Sequence, residues 1–473
     1  MNFFFAPLGA WLKRLGIDLH GERTQRYLRS LQANYLNIPL VFLYTALTVP
    51  LGLKYLGPDG WGTWVICLQI STFINLWENF STGALVRRLV EFKDNRSSPG
   101  YAKFFFLGLF TFRAQGVLLL LAHLFAGWLA PGVFTNLDSQ QTILLMGVLG
   151  LVSLVQQLGK ISGQCLYLYQ RVDWASYASG AGLLAGLMVG CAILIQTSSL
   201  TSLAWGSFVS ALVANMINFY GARSMRLFPV RSSPKPDLKI KDFFGFYSFS
   251  APFFAHAVLS GLYASLPVFL AGHFLSLQEA GRWGILQRIV NLFNQVARAI
   301  TQLSFPFLLE KASTLQTEAL KKMASRVLVA QNGLTALLAA LFAVAGSGLI
   351  QLWTGDPFAV GWIPFLLGFA ILVDMDQRFR FDLDSVVLYL KRALAADVIK
   401  ILAFTVFSLL GIAHFSIHGL IFAFLGAGIL GWLIATTIHP SAAPAQIPMP
   451  SWRISIAYWI FYICLELLLR TLI

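Results

Sequence analysis

The sequence predicts an all-α polytopic membrane protein of two six-helix lobes related by an internal repeat, with an extra C-terminal apolar helix. Three observations predict it. Hydrophobic residues make up 57% of the 473 positions and charged residues 11%, where a soluble domain carries about 25% charged residues. Apolar runs long enough to cross about 30 Å of hydrocarbon recur along the chain. Basic residues concentrate in alternate loops between those runs. A chain this apolar cannot hide its hydrocarbon in one water-bounded core, so lipid is the solvent for most of its surface.

Residues 1–35 read as a basic cytoplasmic or interfacial segment, with Phe3–Leu12 too short for a cleavable leader and suited to the membrane interface. The first lobe, residues 36–221, holds spans at Leu36–Leu56, Trp61–Phe80, Phe104–Ala130, Thr142–Tyr169, Trp174–Gln196 and Leu203–Tyr220. A basic, proline-containing linker follows at 222–243. The second lobe, residues 244–438, holds Phe244–His273, Gly281–Leu308, Val327–Trp353, Phe358–Tyr389, Ala393–Ile412 and Ile417–Ile438. Residues 439–473 supply a linker and the apolar stretch Ile454–Ile473, readable as a thirteenth span or an interfacial helix because Glu466 and Arg470 lie near its end.

With the N-terminus inside, the cytoplasmic segments hold 24 Lys and Arg, and the opposite side only 2, Lys54 and Arg282. This asymmetry predicts a multi-pass protein of the cytoplasmic (inner) membrane with a cytoplasmic N-terminus. It also accounts for the net charge of +14 without a nucleic-acid partner. Cys67, Cys165, Cys191 and Cys464 all fall in apolar segments, and no spacing suggests a metal site or a disulfide framework. No cofactor is expected, and a monomer is. The outer loops are too short for an external catalytic domain, so function resides in the bundle and the chain does not read as an enzyme.

The halves resemble one another. LGPDGWGTW at Leu56–Trp64 matches LSLQEAGRW at Leu275–Trp283, aligning Gly62 with Gly281 and Trp64 with Trp283. The same offset aligns Asn75 with Asn294, and YLYQR ending at Arg171 resembles LYLKR ending at Arg392. Parallel repeats whose halves meet at a substrate site characterise secondary transporters.

The run YLGPDGWGTWVICLQISTFINLWENFSTGALVRRLVE (Tyr55–Glu91) resembles the first hairpin of the polysaccharide-export flippases. Those belong to the multidrug/oligosaccharidyl-lipid/polysaccharide exporter superfamily. FSIHGLIFAFLGAGILG (Phe415–Gly431) resembles that family's twelfth helix, and SFPFLLE (Ser304–Glu310) the end of its eighth. Where the family commonly has an Asp-Leu-Gly-like step, this chain has Glu78, Asn79 and Phe80. The resemblance implies two lobes around a cavity that opens alternately to each side. It also implies a cargo of lipid-linked oligosaccharide on polyprenyl pyrophosphate, taken from among the membrane lipids.

The polar minority nominates a site. On the eighth span Arg288, Asn291, Gln295, Arg298 and Gln302 recur every three or four residues, with Asn294 alongside. Such a stripe reads as a cationic cavity wall for phosphate oxygens, or as interhelical hydrogen-bonding glue. The second span carries the matching stripe Gln69, Thr72, Asn75 and Asn79, with Glu78 beside it, and the fourth contributes Lys160. Glu78, Asp374 and Asp376 are candidates for coupling to H⁺ or Na⁺, or for pairing with nearby basic groups. Supporting charges are Arg113, Arg378, Arg380 and Lys400, with Arg113 and Lys400 expected to snorkel to the inner interface. Spacing of i,i+4 suggests Asp376–Arg380 and Arg378–Asp382 pairs, either in the cavity or at the cytoplasmic surface. Trp61, Trp64 and Trp283 are expected at the interface as anchors. The expected activity is flipping of a polyprenyl-pyrophosphate-linked oligosaccharide for cell-surface polysaccharide synthesis. The alternatives are a multidrug cation exporter of the same superfamily and a membrane-embedded sugar polymerase or glycosyltransferase.

Overall fold

The computed structural model describes residues 22–78, 85, 88–92, 95–134, 136–169, 171–229, 251–313, 317–358, 361–386, 391–437 and 452–472. These are helical, joined by short turns, and among the described residues no strand occurs. The helices are α1 (Glu22–Asn75), α2 (Pro99–Val133), α3 (Ser139–Leu168), α4 (Val172–Thr197) and α5 (Ser202–Ser224). After the basic linker come α6 (Ala251–Phe274), α7 (Leu277–Ser313), α8 (Thr317–Thr354), α9 (Ile363–Val386), α10 (Lys391–Thr437) and α11 (Trp452–Leu472).

Two of these elements contain two predicted spans each. In α1 the first and second spans are joined through Gly57, whose φ of 72° breaks the helix. Only glycine adopts that left-handed backbone without strain, and Pro58 then restarts the helix. In α10 the eleventh and twelfth spans meet at Ser416, with φ of 53°. Helix starts elsewhere follow local chemistry. Ser98 caps α2 by accepting from the Tyr101 amide at 3.1 Å, with Pro99 at the first helical position. Asp138 caps α3 by accepting from the Gln141 amide at 2.7 Å. A 3₁₀ turn, Leu76–Glu78, ends the second span. Among the described residues eight helices are long and apolar enough to cross a membrane, and two of these, of 44 residues each, cover the doubled spans. The chain is a multi-pass helical membrane protein.

Helices α2–α5 pack on one another and on α1, while α6–α10 pack among themselves. Glycines at 182, 186 and 190 of α4 let it approach Gly206 and Ser210 of α5, the small-residue packing that membrane helices need where hydrophobic burial offers no drive. The two groups meet chiefly where α1 lies against α6 and α7. Helix α11 docks on α8 and α9. Its Tyr462 hydroxyl donates to the Phe365 carbonyl at 2.8 Å, and its ring stacks on Phe365 and Phe369.

The seam is tightest near the turns that are poor in basic residues. There the repeat-related Gly62 and Gly281 face each other: a Cβ on Gly281 would lie 3.3 Å from the Gly62 Cα, and one on Gly62 would run into the Leu277 carbonyl. Trp61 packs against Gly281 in this seam, Trp283 packs on Phe424 of α10, and Trp64 is buried as well, all at 0–3% exposure, which corrects their expected place as anchors at the membrane interface. The Trp61 and Trp64 indole nitrogens find no acceptor there.

Candidate functional site

The polar stripe of α7 lies beside the seam. Arg288 reaches across it: its guanidinium sits 5.0 Å from the Trp61 ring centroid, and its Nη1 donates to Thr48 Oγ1 of α1 at 3.4 Å. Among the described residues no carboxylate pairs with it. Asn291 and Gln295 follow on the same face and are exposed, while Asn294 is buried with its amide oxygen unpartnered. One turn further, Arg298 faces Asp382 at 3.9 Å. The stripe thus runs from a cation without a counter-ion to one that has one.

An apolar cavity of about 560 Å³ opens beside the stripe, between α1, α7 and α8. Phe42, Thr45 and Ala46 of α1, Ile289, Leu292, Phe293 and Val296 of α7, and Phe342 and Trp353 of α8 line it. Trp353 Nε1 donates across the seam to the Ala46 carbonyl at 3.1 Å. Helical periodicity puts Arg288 and the groove residues on adjacent faces of α7. The polar and apolar faces of α7 therefore share one edge.

The polar stripe of the second span is bound to neighbouring helices. Gln69 Nε2 donates to Ser265 Oγ of α6 at 2.6 Å, and Asn75 Oδ1 accepts from Ser153 Oγ at 2.8 Å. Glu78 pairs with Lys160 Nζ at 2.7 Å, so these two expected site residues neutralise each other. Asn79 lies outside the described residues. Arg113 is exposed. His123 Nδ1 donates to the Leu119 carbonyl at 2.7 Å, and its Nε2 lies 2.8 Å from Ser71 Oγ of the second span, so both ring nitrogens are held within the first helical group.

The acidic run of α9 lies inside the second helical group. Asp376 is fully buried and accepts from Arg380 Nε at 2.9 Å, Asn332 Nδ2 at 2.9 Å, Ser455 Oγ at 2.7 Å and the Trp432 indole. Arg380 also donates to Ser455 Oγ at 3.0 Å. Asp374 is held between Arg378 at 2.7 Å and Lys400 at 3.0 Å. Arg378 therefore pairs one turn back, with Asp374, and not with Asp382, which corrects the spacing-based expectation. Lys400 is also corrected: it is buried, 4.0 Å from the Tyr263 ring centroid, and does not snorkel. A lysine beside a buried carboxylate loses more by leaving it than it gains at the interface.

Sequence reasoning missed the partners more than the charges. Thr48, Ser265, Asn332, Trp432 and Ser455 are ordinary residues in apolar helices, and only their long-range contacts give them a role. His256 and Asp397 were also missed, although each is a titratable group inside an apolar run. They meet each other, with His256 Nδ1 against Asp397 Oδ2. Among the described residues no group of three or more His, Cys, Asp or Glu is placed to hold a metal ion.

Comparisons with known proteins fit this architecture. Structural similarity extends over nearly the whole chain. The lipid II flippase MurJ in an inward closed conformation superposes with a TM-score of 0.68 at 13% identity, covering 94% of this chain and 93% of that one. The MATE multidrug transporter DinF-BH gives 0.69 at 12% identity, covering 89% and 96%. An inward-facing multidrug resistance MATE transporter of the MOP superfamily gives 0.67 at 11% identity, covering 84% and 93%. At these identities the likeness shows the fold. No curated protein matches the chain in sequence. Residues 54–360 match the family described as "Polysaccharide biosynthesis protein", which spans more than half of the chain. The chain belongs to that polysaccharide biosynthesis family and has the fold of the MOP-superfamily flippases and exporters.

Proposed function

We propose that this transporter flips a polyprenyl-pyrophosphate-linked oligosaccharide from the cytoplasmic to the outer leaflet of the inner membrane, with its N-terminus in the cytoplasm. One observation carries the reading: Arg288, a guanidinium with no carboxylate partner among the described residues, lies on the face of α7 next to the one that lines an apolar groove. A cation in that setting is costly unless an anion or water compensates it. A phosphate matches the planar fork of arginine bidentately, and the groove offers hydrocarbon walls to a polyprenyl chain. The exposed amides of Asn291 and Gln295 extend the polar wall toward sugars. The residues 36–221 and 244–438 act as the two rocking lobes, with the seam of α1 against α6 and α7 as the surface that opens and closes.

A cationic drug would meet Arg288 as a like charge, which disfavours it at this place. Glu78, Asp374 and Asp376 do not help such a cargo, since each pairs with a fixed cation.

The reading is tested by equilibrium binding to the purified full chain of farnesyl pyrophosphate, farnesyl phosphate and farnesol, probes that share a tail and differ in charge. Affinity is expected to fall in that order, and Arg288→Ala to weaken the pyrophosphate by roughly 10–100-fold, the worth of a charge-assisted hydrogen bond of about 1.5–3 kcal/mol. Equal binding of all three, or tighter binding of a cationic rhodamine dye than of the pyrophosphate, would overturn it in favour of a drug exporter.

A further inference from the structure

Another cavity, of about 300 Å³, opens between the two helical groups on the side poor in basic residues. In the orientation proposed above this is the outer side. Helix α1 contributes Lys54, Pro58 and Trp61, α7 contributes Gln278 and Arg282, and the turn after α8 contributes Asp356. Lys54 and Arg282, the two basic residues counted on that side, thus both line one pocket. Its volume lies at the lower end of ligand pockets, roughly 300–1,000 Å³, and suits a mono- or disaccharide unit.

The charges of this pocket are arranged for an uncharged ligand. Arg282 Nη1 donates to Glu279 Oε1 at 2.6 Å, while its Nε and Nη2 both donate to Asp356 Oδ2, at 3.0 and 2.9 Å. Among the described residues no donor reaches Asp356 Oδ1. Thr354 Oγ1 accepts from the Asp356 amide at 3.2 Å, and Gly355 between them has φ of 75°, which favours glycine. That turn presents the carboxylate to the pocket. Lys54 Nζ lies 5.4 Å from the Tyr55 ring centroid and, among the described residues, pairs with no carboxylate. Lys54 and Arg282 balance Glu279 and Asp356, so an anion gains no net attraction here. A saccharide, uncharged and rich in groups that both donate and accept, matches a free ammonium, a free carboxylate oxygen and the Gln278 amide.

Trp61 separates this pocket from the Arg288 stripe. The Arg288 guanidinium sits 5.0 Å from its ring centroid. The Cδ1 corner of the indole abuts Gly281, another wall of the pocket, where a Cβ would come within 3.0 Å. Next to that corner Nε1 has no acceptor, so a hydroxyl reaching the floor meets an unused donor. Arg282 and Arg288 lie on the same helix, about 9 Å apart along it at 1.5 Å per residue. The exposed Asn291 and Gln295 lie beyond Arg288 in the other direction. Polar surface suited to sugars therefore flanks Arg288 on both sides.

We propose that this pocket is a saccharide subsite on the outer side of the seam, which takes a neutral sugar unit of the head group as the cargo leaves Arg288. Sugar hydroxyls donate to Asp356 Oδ1 and accept from Lys54 Nζ and the Gln278 amide, while a C–H face of the ring packs on Pro58. Trp61 is the floor that parts the sugar from the anion site. The inference rests on the reading of the cargo as a lipid-linked oligosaccharide.

The test uses the full chain in lipid nanodiscs and saturation-transfer NMR with the methyl glycosides of glucose, galactose and N-acetylglucosamine. At least one should bind, with Kd on the order of 1–10 mM. Neither inorganic pyrophosphate nor farnesyl pyrophosphate should displace it. Lys54→Gln and Gln278→Ala should each weaken it by roughly 2–10-fold, the worth of one hydrogen bond. Binding of none of the glycosides, displacement by inorganic pyrophosphate, or binding unchanged in both variants would overturn the proposal. The first two outcomes need no variant, so a variant that fails to fold does not decide the matter. Glycosides that fail to bind while farnesyl pyrophosphate binds better than farnesol remove the subsite alone. Farnesyl probes that all bind alike remove the cargo reading, whatever the glycosides do.

Discussion

The buried charges of α9 show how one side chain sets the cost of another. Asp376 and Arg380 are 0% and 3% exposed, and two ions removed from water are tolerated only when their remaining hydrogen-bonding capacity is met. Asn332, Trp432 and Ser455 meet it, from α8, α10 and α11. Asp376→Ala should therefore destabilise the protein by about 3–5 kcal/mol, the range for breaking a buried pair, read as a lower unfolding midpoint in detergent. Ser455→Ala should cost about 1–3 kcal/mol, since Asp376 keeps its other donors. A larger loss from Ser455→Ala than from Asp376→Ala would contradict this ranking. The i,i+4 spacing made the Asp376–Arg380 pair legible in the sequence. The same rule misassigned Arg378, because spacing offers both Asp374 and Asp382, and the choice belongs to Lys400 and Arg298 on other helices.

At the scale of elements, hydropathy found most of the described helices, since lipid forces each crossing to satisfy its own backbone, but α8 begins ten residues before the expected Val327 and the charged α7 and α9 are not among the eight helices apolar enough to cross a membrane. The joins at Gly57 and Ser416 also lie where the sequence ended one run and began another. What hydropathy could not supply was the crossing partner. The glycine repeat pointed to Gly62 and Gly281 as related positions, and the structure turns that relation into contact. Gly62→Leu should prevent the turns from closing on each other, raising hydrogen exchange in residues 58–66 and 277–285 several-fold. Gly132→Leu, at a position with open space, should not. Helix α11 makes a second case. Its 21 residues span about 31 Å at 1.5 Å each, sufficient for the hydrocarbon, and Tyr462 and Ser455 tie it to α9 by aromatic and polar contacts. Removing residues after Thr437 should lower the unfolding midpoint at least as far as Ser455→Ala does.

On the scale of the whole molecule, the apolar bulk announced a membrane protein, and the rare polar residues carry the function proposed for it. Both stripes were legible, because a 3.6-residue period survives in an otherwise uniform apolar run. Which cations remain uncompensated was not legible, since Lys160 meets Glu78 only after the second and fourth spans pack together. That packing leaves Arg288 as the cation at the seam without a carboxylate among the described residues, next to the groove. The central claim is that this pairing of guanidinium and apolar groove moves an anionic lipid-linked sugar. The most direct measurement is made in liposomes containing the purified full chain and a fluorescent polyprenyl-pyrophosphate-linked oligosaccharide, with the leaflet exposed reported by a membrane-impermeant quencher. Wild-type protein should flip the lipid, and Arg288→Ala should slow it by roughly 10–100-fold. Equal rates for the two proteins, or no flipping alongside transport of a cationic rhodamine dye, would contradict it.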